Sequence, residues 1–224
     1  MTAAQTPRTQ VEVAVAKLRE MIFEGVLSPG SNHLEAELAS RLGMSRTPLR
    51  EAALILQEQG LVTVQARKGV RVLPISSEDM AEIYDVLTVL ESHAAAAAAG
   101  LPPATRDLSA LRAAIEDMER ALAREDRLAW AEADDRFHNA LVALGGNRRI
   151  TAIVAQMADQ VRRVRRVTLF LRPAPHKSTD DHRAVVDAIS RGDADAAAAI
   201  HRAHRLASKQ MLVALLAEHG LGQL

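Results

Sequence analysis

The stretch Gly43-Met-Ser-Arg-Thr-Pro-Leu-Arg-Glu-Ala-Ala-Leu54 constrains this chain more than any other. It reads as the turn and second helix of a helix-turn-helix. Gly43 is free to take φ > 0 and so to end a helix over 34–42. Ser45 suits the N-cap of the next helix. Pro48 falls in that helix's first turn, where a missing N–H costs no intrahelical bond. Leu49, Ala53 and Leu56 recur at helical spacing and predict a buried face. Arg46, Thr47 and Arg50 occupy the exposed start of the same helix. Two guanidiniums and a hydroxyl there match phosphates and base edges in a DNA major groove. The competing reading is a plain helix pair with solvated arginines.

The neighbouring sequence favours DNA. Residues 11–24 form a first helix with Val11, Val15, Leu18 and Ile22 on one face, stopped by Gly25. Ser28-Pro29-Gly30 is a turn. After the helix over 46–59, alternating β-branched residues at 61–65 and 70–73 flank a Gly-containing turn and predict a hairpin. Arg67 and Lys68 stand at its tip, with Gly69 permitting close approach of the backbone. Three helices and a basic hairpin make a winged helix-turn-helix over 8–74. Residues 1–74 hold nine Lys/Arg and seven Asp/Glu, a net of +2, so the basic character comes from placement rather than amount.

No strand pattern follows. Residues 75–77 read as a linker, residues 1–7 as a loose tail, and 78–224 as a helical domain. Helices are predicted over 77–99, 104–124, 126–144, 147–171, 177–191 and 193–219, broken at Gly100-Leu-Pro-Pro103, Gly145-Gly146, Arg172-Pro-Ala-Pro175 and Gly192. The small residues of Ala94–Ala99 suit close helix packing. The expected fold is mainly α: a winged helix-turn-helix followed by an all-helical bundle of about six helices.

Asp134 and His138 are four apart and share a helix face. His182 and His204 lie on two further helices. One carboxylate and three imidazoles meeting inside a bundle suit a divalent metal such as Zn²⁺, Ni²⁺, Co²⁺ or Mn²⁺, with positions left open on an octahedral ion. The bland alternative is a surface Asp–His pair and unrelated histidines. Asp135 and His201 stand next to this set as decoys or supports. His33, His93, His176 and His219 have no evident partners. The run Val161-Arg-Arg-Val-Arg-Arg-Val167 reads as an apolar stripe with a solvated, salt-bridged arginine face. The sharper alternative is that one arginine reaches an anionic ligand.

With both halves placed, the chain resembles the GntR superfamily of bacterial transcriptional regulators, and within it the FadR subfamily with its FCD ligand-binding domain. The N-terminal resemblance rests on Gly-x-Leu-x-Pro-Gly at 25–30, Glu-Ala-Glu-Leu-Ala at 35–39, Arg-Leu-Gly-x-Ser-Arg-Thr-Pro-Leu-Arg-Glu-Ala at 41–52, Glu-x-Gly-Leu-Val at 58–62 and Gly69. The C-terminal one rests on Asp134-Asp-Arg-Phe-His-Asn-Ala-Leu141, Gly146-Asn147, Asp181-His182-Arg-Ala-Val-Val-Asp-Ala-Ile189, Gly192-Asp193 and Arg202-Ala-His204. The resemblance implies that Asp134, His138, His182 and His204 bind metal, and that Arg46, Thr47, Arg50 and the wing touch DNA. Two positions depart from the pattern. Leu87 stands where similar proteins commonly have an Arg that helps hold an acidic effector. Leu34 replaces the Ser that usually caps the second helix.

Composition narrows the alternatives. Of 224 residues, 48% are apolar and 25% charged, which describes a globular chain. Lys plus Arg and Asp plus Glu each number 28, which argues against a general polyanion binder. Aromatics at 2% leave little for stacking on single-stranded nucleic acid. There is no Cys, hence no disulfide or thiolate ligand. Neither a signal peptide nor a membrane span is expected. The sequence thus predicts a cytoplasmic, homodimeric regulator, a repressor by preference, that binds operator DNA. A small effector, plausibly a carboxylate, would reach the metal. A regulator that senses the metal ion directly is the alternative. A metal-dependent hydrolase ranks last, since no dedicated general base is evident and the N-terminal half would have no role.

Overall fold

The computed structural model describes residues 9–219; the expected tail over 1–7 lies outside them. The chain divides at Ile75 and Ser76 into two compact units, each with its own core.

The first unit contains α1 (Gln10–Phe23), β1 (Asn32–His33), α2 (Glu35–Leu42), α3 (Arg46–Glu58), β2 (Val62–Gln65) and β3 (Gly69–Val72). Thr9 and Glu12 close a capping box at the start of α1. Gly43 ends α2 in the left-handed conformation at φ 65°. Ser45 occupies the N-cap of α3, but its side chain makes no capping bond. Leu34 leaves α2 without a side-chain cap, as its apolar side chain must. Leu18, Leu38, Leu49, Ala53, Leu56, Leu61, Val70 and Val72 meet in the core.

The sheet differs from the expected two-stranded hairpin. Asn32–His33 adds a third antiparallel strand, giving the order β1-β3-β2. This changes the account of Gly69. Its φ is +85°, and a Cβ there would lie 2.2 Å from the carbonyl oxygen of His33. Glycine is required because β1 packs against it, which is a reason inside the fold.

The second unit contains α4 (Ser77–Ala99), a 3₁₀ turn (Pro103–Thr105), α5 (Ser109–Ala123), α6 (Arg127–Leu144), α7 (Arg148–Val167), α8 (His176–Arg191) and α9 (Ala194–Glu218). Ser76 and Asp79 form a capping box that starts α4 directly after the winged unit. The helix expected from 104 starts at Ser109 instead. The intervening chain is held by Arg106, which donates to the carbonyls of Leu101 and Ser190. The helix expected to reach 171 ends at Val167, and residues 168–171 continue as turns. The alanine run of α4 packs closely: a Cβ on Gly145 would lie 2.9 Å from Ala94. Ala95, Ala98, Trp130, Phe137, Leu141, Val185 and Ile189 fill the core between helices. Among the described residues, no helix is long and apolar enough to cross a membrane.

Candidate DNA surface and metal–effector site

Arg46, Thr47 and Arg50 lie exposed in the first turn of α3, while Leu49, Ala52, Ala53 and Leu56 fix its opposite face in the core. Arg67 and Lys68 are exposed between β2 and β3, with Arg67 in the left-handed region at φ 64°. Gly69 is half-buried beside β1. An exposed cation with no carboxylate beside it keeps its full charge for a phosphate. That describes Arg46, Arg50, Arg67 and Lys68, none of which forms an ion pair among the described residues.

In the helical unit, His138 on α6, His182 on α8 and His204 on α9 are brought together. Each offers a ring nitrogen, and the three lie within 4.8 Å of one another. Asp134, one turn before His138, places Oδ1 2.8 Å from Nε2 of His182 and 3.8 Å from Nε2 of His138. Its other oxygen, Oδ2, lies 2.5 Å from Nη1 of Arg165. Phe137 stacks on the His182 ring at 4.1 Å and fixes its plane.

All four groups are buried. Burial alone would raise the Asp134 carboxyl; the charge of Arg165, with His138 and His182, overrides it and holds the group well below its usual range. Burial pushes His138 down to about 3, against the pull of Glu91 and Asp134. Burial, then the neighbouring His182, lowers His204 as well. His138 and His204 are thus neutral at pH 7, the state a metal requires.

The residues fit a divalent ion on a second ground. Nε2 of His138 and Nε2 of His204 are buried without a hydrogen-bond partner. Their other ring nitrogens are engaged from behind: Nδ1 of His138 by Glu91 at 2.9 Å, and Nδ1 of His204 by Asp181 at 3.5 Å. A carboxylate behind each imidazole, with the far nitrogen left bare, is the support that metal-ligating histidines use.

Two residues of this network escaped the sequence reading. Glu91 on α4 is buried and accepts from His138 and, at 3.0 Å, from Nε2 of His201. Arg205 lies 3.3 Å from the same carboxylate and its guanidinium sits over the Tyr84 ring at 4.5 Å. Arg205 and the hydrogen bonds of both histidines outweigh burial and keep Glu91 well below its usual range. Asp135 supports Arg162 and Arg165 rather than the histidines. The arginine run of α7 is not a solvated face: Arg163 and Arg165 are buried, and Asp134 holds Arg165 in its charged form. His93, His176 and His219 are exposed, and His33 bonds Ser31 at 2.7 Å.

A cavity of about 210 Å³ opens against His204 and Arg165, walled by Trp130, Leu169, Arg172 and Met211.

Comparison with known proteins agrees with both units. Residues 10–72 match the family of bacterial regulatory proteins named gntR, and residues 82–207 match the FCD domain. The chain belongs to the GntR family of bacterial regulators. A transcriptional regulator encoded in the TAR-I ttuE-ttuC' intergenic region of Agrobacterium vitis is 43% identical over 136 residues, 60% of this chain and 80% of the relative. A probable D-xylose utilization operon transcriptional repressor of Paenarthrobacter nicotinovorans is 28% identical over 88% of this chain and 86% of the relative. A crystal structure described as the transcriptional regulator GntR from Rhodococcus sp. RHA1 is 27% identical, with a TM-score of 0.74, and covers 92% of this chain and 99% of that one. This GntR protein is therefore a DNA-binding transcriptional regulator and not an enzyme. Its Leu87 is buried in α4 at 2% exposure. The guanidiniums nearest the histidines come from α7 and α9 instead, as Arg165 and Arg205.

Proposed function

We propose that the protein is a homodimeric, cytoplasmic repressor whose grip on operator DNA is set by a small acidic metabolite at a metal site in the helical unit. The observation that carries this reading is the set of buried histidines from three helices, each with a ring nitrogen within 4.8 Å of the others, beside a cavity. Asp134, His138, His182 and His204 would hold the ion, and Glu91 and Asp181 would orient two of the imidazoles. A bound ion supplies a Lewis-acidic anchor for a carboxylate.

Arg46, Thr47, Arg50, Arg67 and Lys68 would meet each half-site, with Gly69 shaping the wing. A dimer presents two such surfaces to a palindromic operator. Apolar side chains left exposed on α4 (Val86, Val89) and α7 (Ile153, Val167) support an interface between copies. Repression is the role that the D-xylose relative's description carries. Helix α4 gives the signal a path: it begins at the junction of the units and carries Glu91 to the histidines. A ligand shifts the DNA-binding equilibrium only if it binds one arrangement more tightly.

The test starts with genomic fragments selected in vitro by the purified protein. Elemental analysis should find close to one divalent ion per protomer, lost in a His138→Ala/His204→Ala variant that still binds the fragments. Organic acids should then release the fragments from the metal-loaded protein only. Undiminished metal in the variant, or release by acids from stripped protein, would refute the reading. Release by metal alone would assign direct metal sensing in its place.

A further inference from the structure

The cavity beside His204 holds positive charge that no carboxylate among the described residues answers. Its charged wall consists of Arg127, Arg165, Arg172, Lys177 and Asp181. Three of these are matched. Arg165 faces Asp134 at 2.5 Å and Asp135 at 3.4 Å. Lys177 and Asp181 pair at 2.7 Å. Arg127 and Arg172 have no carboxylate within ion-pair distance among the described residues.

Their hydrogen bonds go to backbone instead. Nη1 of Arg127 donates to the carbonyls of Leu169 and Arg172, at 3.1 and 2.5 Å. Nη2 of Arg172 donates to Arg165 O at 2.7 Å, and its Nε to Thr168 O at 3.4 Å. These bonds pin both guanidiniums to the turn between α7 and α8 and neutralise neither. A guanidinium has five donors in a rigid fork, so each retains N–H groups for a further acceptor. The cost of this crowding is visible: burial and then the charge of Arg165 push Arg172 down to about 10. Two fixed like charges on half-buried side chains of one cavity wall favour an anion between them. Trp130, Leu169, Met211 and Leu212 supply the apolar part of the wall, with Ser178 and Ser208 beside them.

We propose that Arg127 and Arg172 form a second anion subsite in this cavity, and that the effector is a compact molecule with two acidic groups joined by a short apolar chain. One acid lies on the arginine pair; the other reaches the ion beside His204. This rests on the effector reading above and names the ligand class that reading leaves open. A cavity of about 150 Å³ accepts benzene, so 210 Å³ accommodates roughly eight or nine heavy atoms, the size of a short diacid. The acid on the arginines is a carboxylate or a phosphate-type group, which share the same recognition chemistry.

The experiment is isothermal titration, with thermal shift as a second readout, on the full chain with its metal. The probes are glutarate and adipate, the equal-length monoacids pentanoate and hexanoate, and 3-phosphonopropionate. The diacids should bind at least about tenfold tighter than the matched monoacids, as one extra charged hydrogen-bonded contact predicts. Arg127→Gln/Arg172→Gln keeps donors near the turn carbonyls while removing the charge. It should erase that ratio by lowering diacid affinity toward that of the monoacids, with the unliganded melting temperature in place. If this variant melts early, each single Gln variant should lower the ratio on its own. Phosphonopropionate binding above or below glutarate identifies the phosphate-type or carboxylate source. Monoacids binding as tightly as diacids, a ratio that survives the substitutions, or no binding of any probe would overturn the proposal. The same titrations on chelator-stripped protein separate the two readings: a diacid preference unchanged by stripping upholds the arginine subsite and removes the metal from the effector site.

Discussion

Nδ1 of His138 lies 2.9 Å from Oε2 of Glu91, two buried residues 47 apart in sequence and on different helices. Glu91 is held ionised by Arg205 and so can only accept. His138 must therefore donate from Nδ1. That leaves Nε2 deprotonated, 3.8 Å from Oδ1 of Asp134. One carboxylate on α4 thus fixes the tautomer of a candidate metal ligand on α6.

Glu91→Gln should accordingly weaken the metal site without touching any candidate ligand. Glutamine does not enforce the tautomer and leaves Arg205 buried without its charge partner. Loss of such an outer partner typically weakens metal binding about 10- to 100-fold. Competition with a chromophoric chelator for Zn²⁺ or Ni²⁺ measures this. Affinity equal to the wild type would mean that the ring is oriented by packing alone.

How much of this was legible in the sequence follows from the range of each signal. Gly43, Pro48 and the spacing of Leu49, Ala53 and Leu56 act within one or two turns, and α3 forms where they place it. Asp134 and His138 were legible as a pair for the same reason. Glu91 was not: on a helix, a lone carboxylate among apolar residues reads the same whether it faces water or a buried arginine. The arginines of α7 were misassigned on that account, since burial of Arg165 depends on Asp134 from another helix. Strand β1 escaped because two residues carry no periodicity. Its existence follows only from pairing with β3.

Acid should destabilise the metal-free protein before any carboxylate titrates. His138, His201 and His204 are held below their ordinary value of 6.5, His138 at about 3, chiefly by burial. Below about pH 6.5 the unfolded chain therefore binds protons at these positions that the folded one refuses, down to about pH 3 for His138. More protons on the unfolded state means stability rises with pH, so it falls on acidification through this window. Each such histidine contributes a slope of up to about 1.4 kcal/mol per pH unit. Urea unfolding of stripped protein at pH 7.5, 6.0 and 5.0 measures this. A flat profile would show that the imidazoles accept protons in the folded state.

Gly69→Ala should damage the winged unit alone. The new methyl would meet the His33 carbonyl, and φ +85° is strained for any side chain. Together these cost roughly 2–4 kcal/mol, a fall of roughly 10 °C or more for a unit of this size. The affinity of the helical unit for Zn²⁺ or Ni²⁺ should not change. An unchanged melting curve would mean that β1 moves aside freely.

Arg46→Ala and Arg50→Ala should weaken DNA binding at every sequence tested, with the larger loss at low salt. Both side chains are exposed and form no ion pair among the described residues, while Leu49 between them is fully buried and fixes the helix face. Truncation therefore removes charge without disturbing the core, and circular dichroism should not change. A phosphate contact contributes about 0.9 to the slope of log K against log salt. In a dimer each substitution removes two such contacts, so the slope should flatten by about 2. A residue that reads a base edge instead costs about 1–3 kcal/mol at its own base pair and relaxes selectivity there. Measuring both variants against the operator and a scrambled duplex at several salt concentrations assigns each arginine to one role. Wild-type affinity and slope in the double variant would remove α3 from the DNA interface.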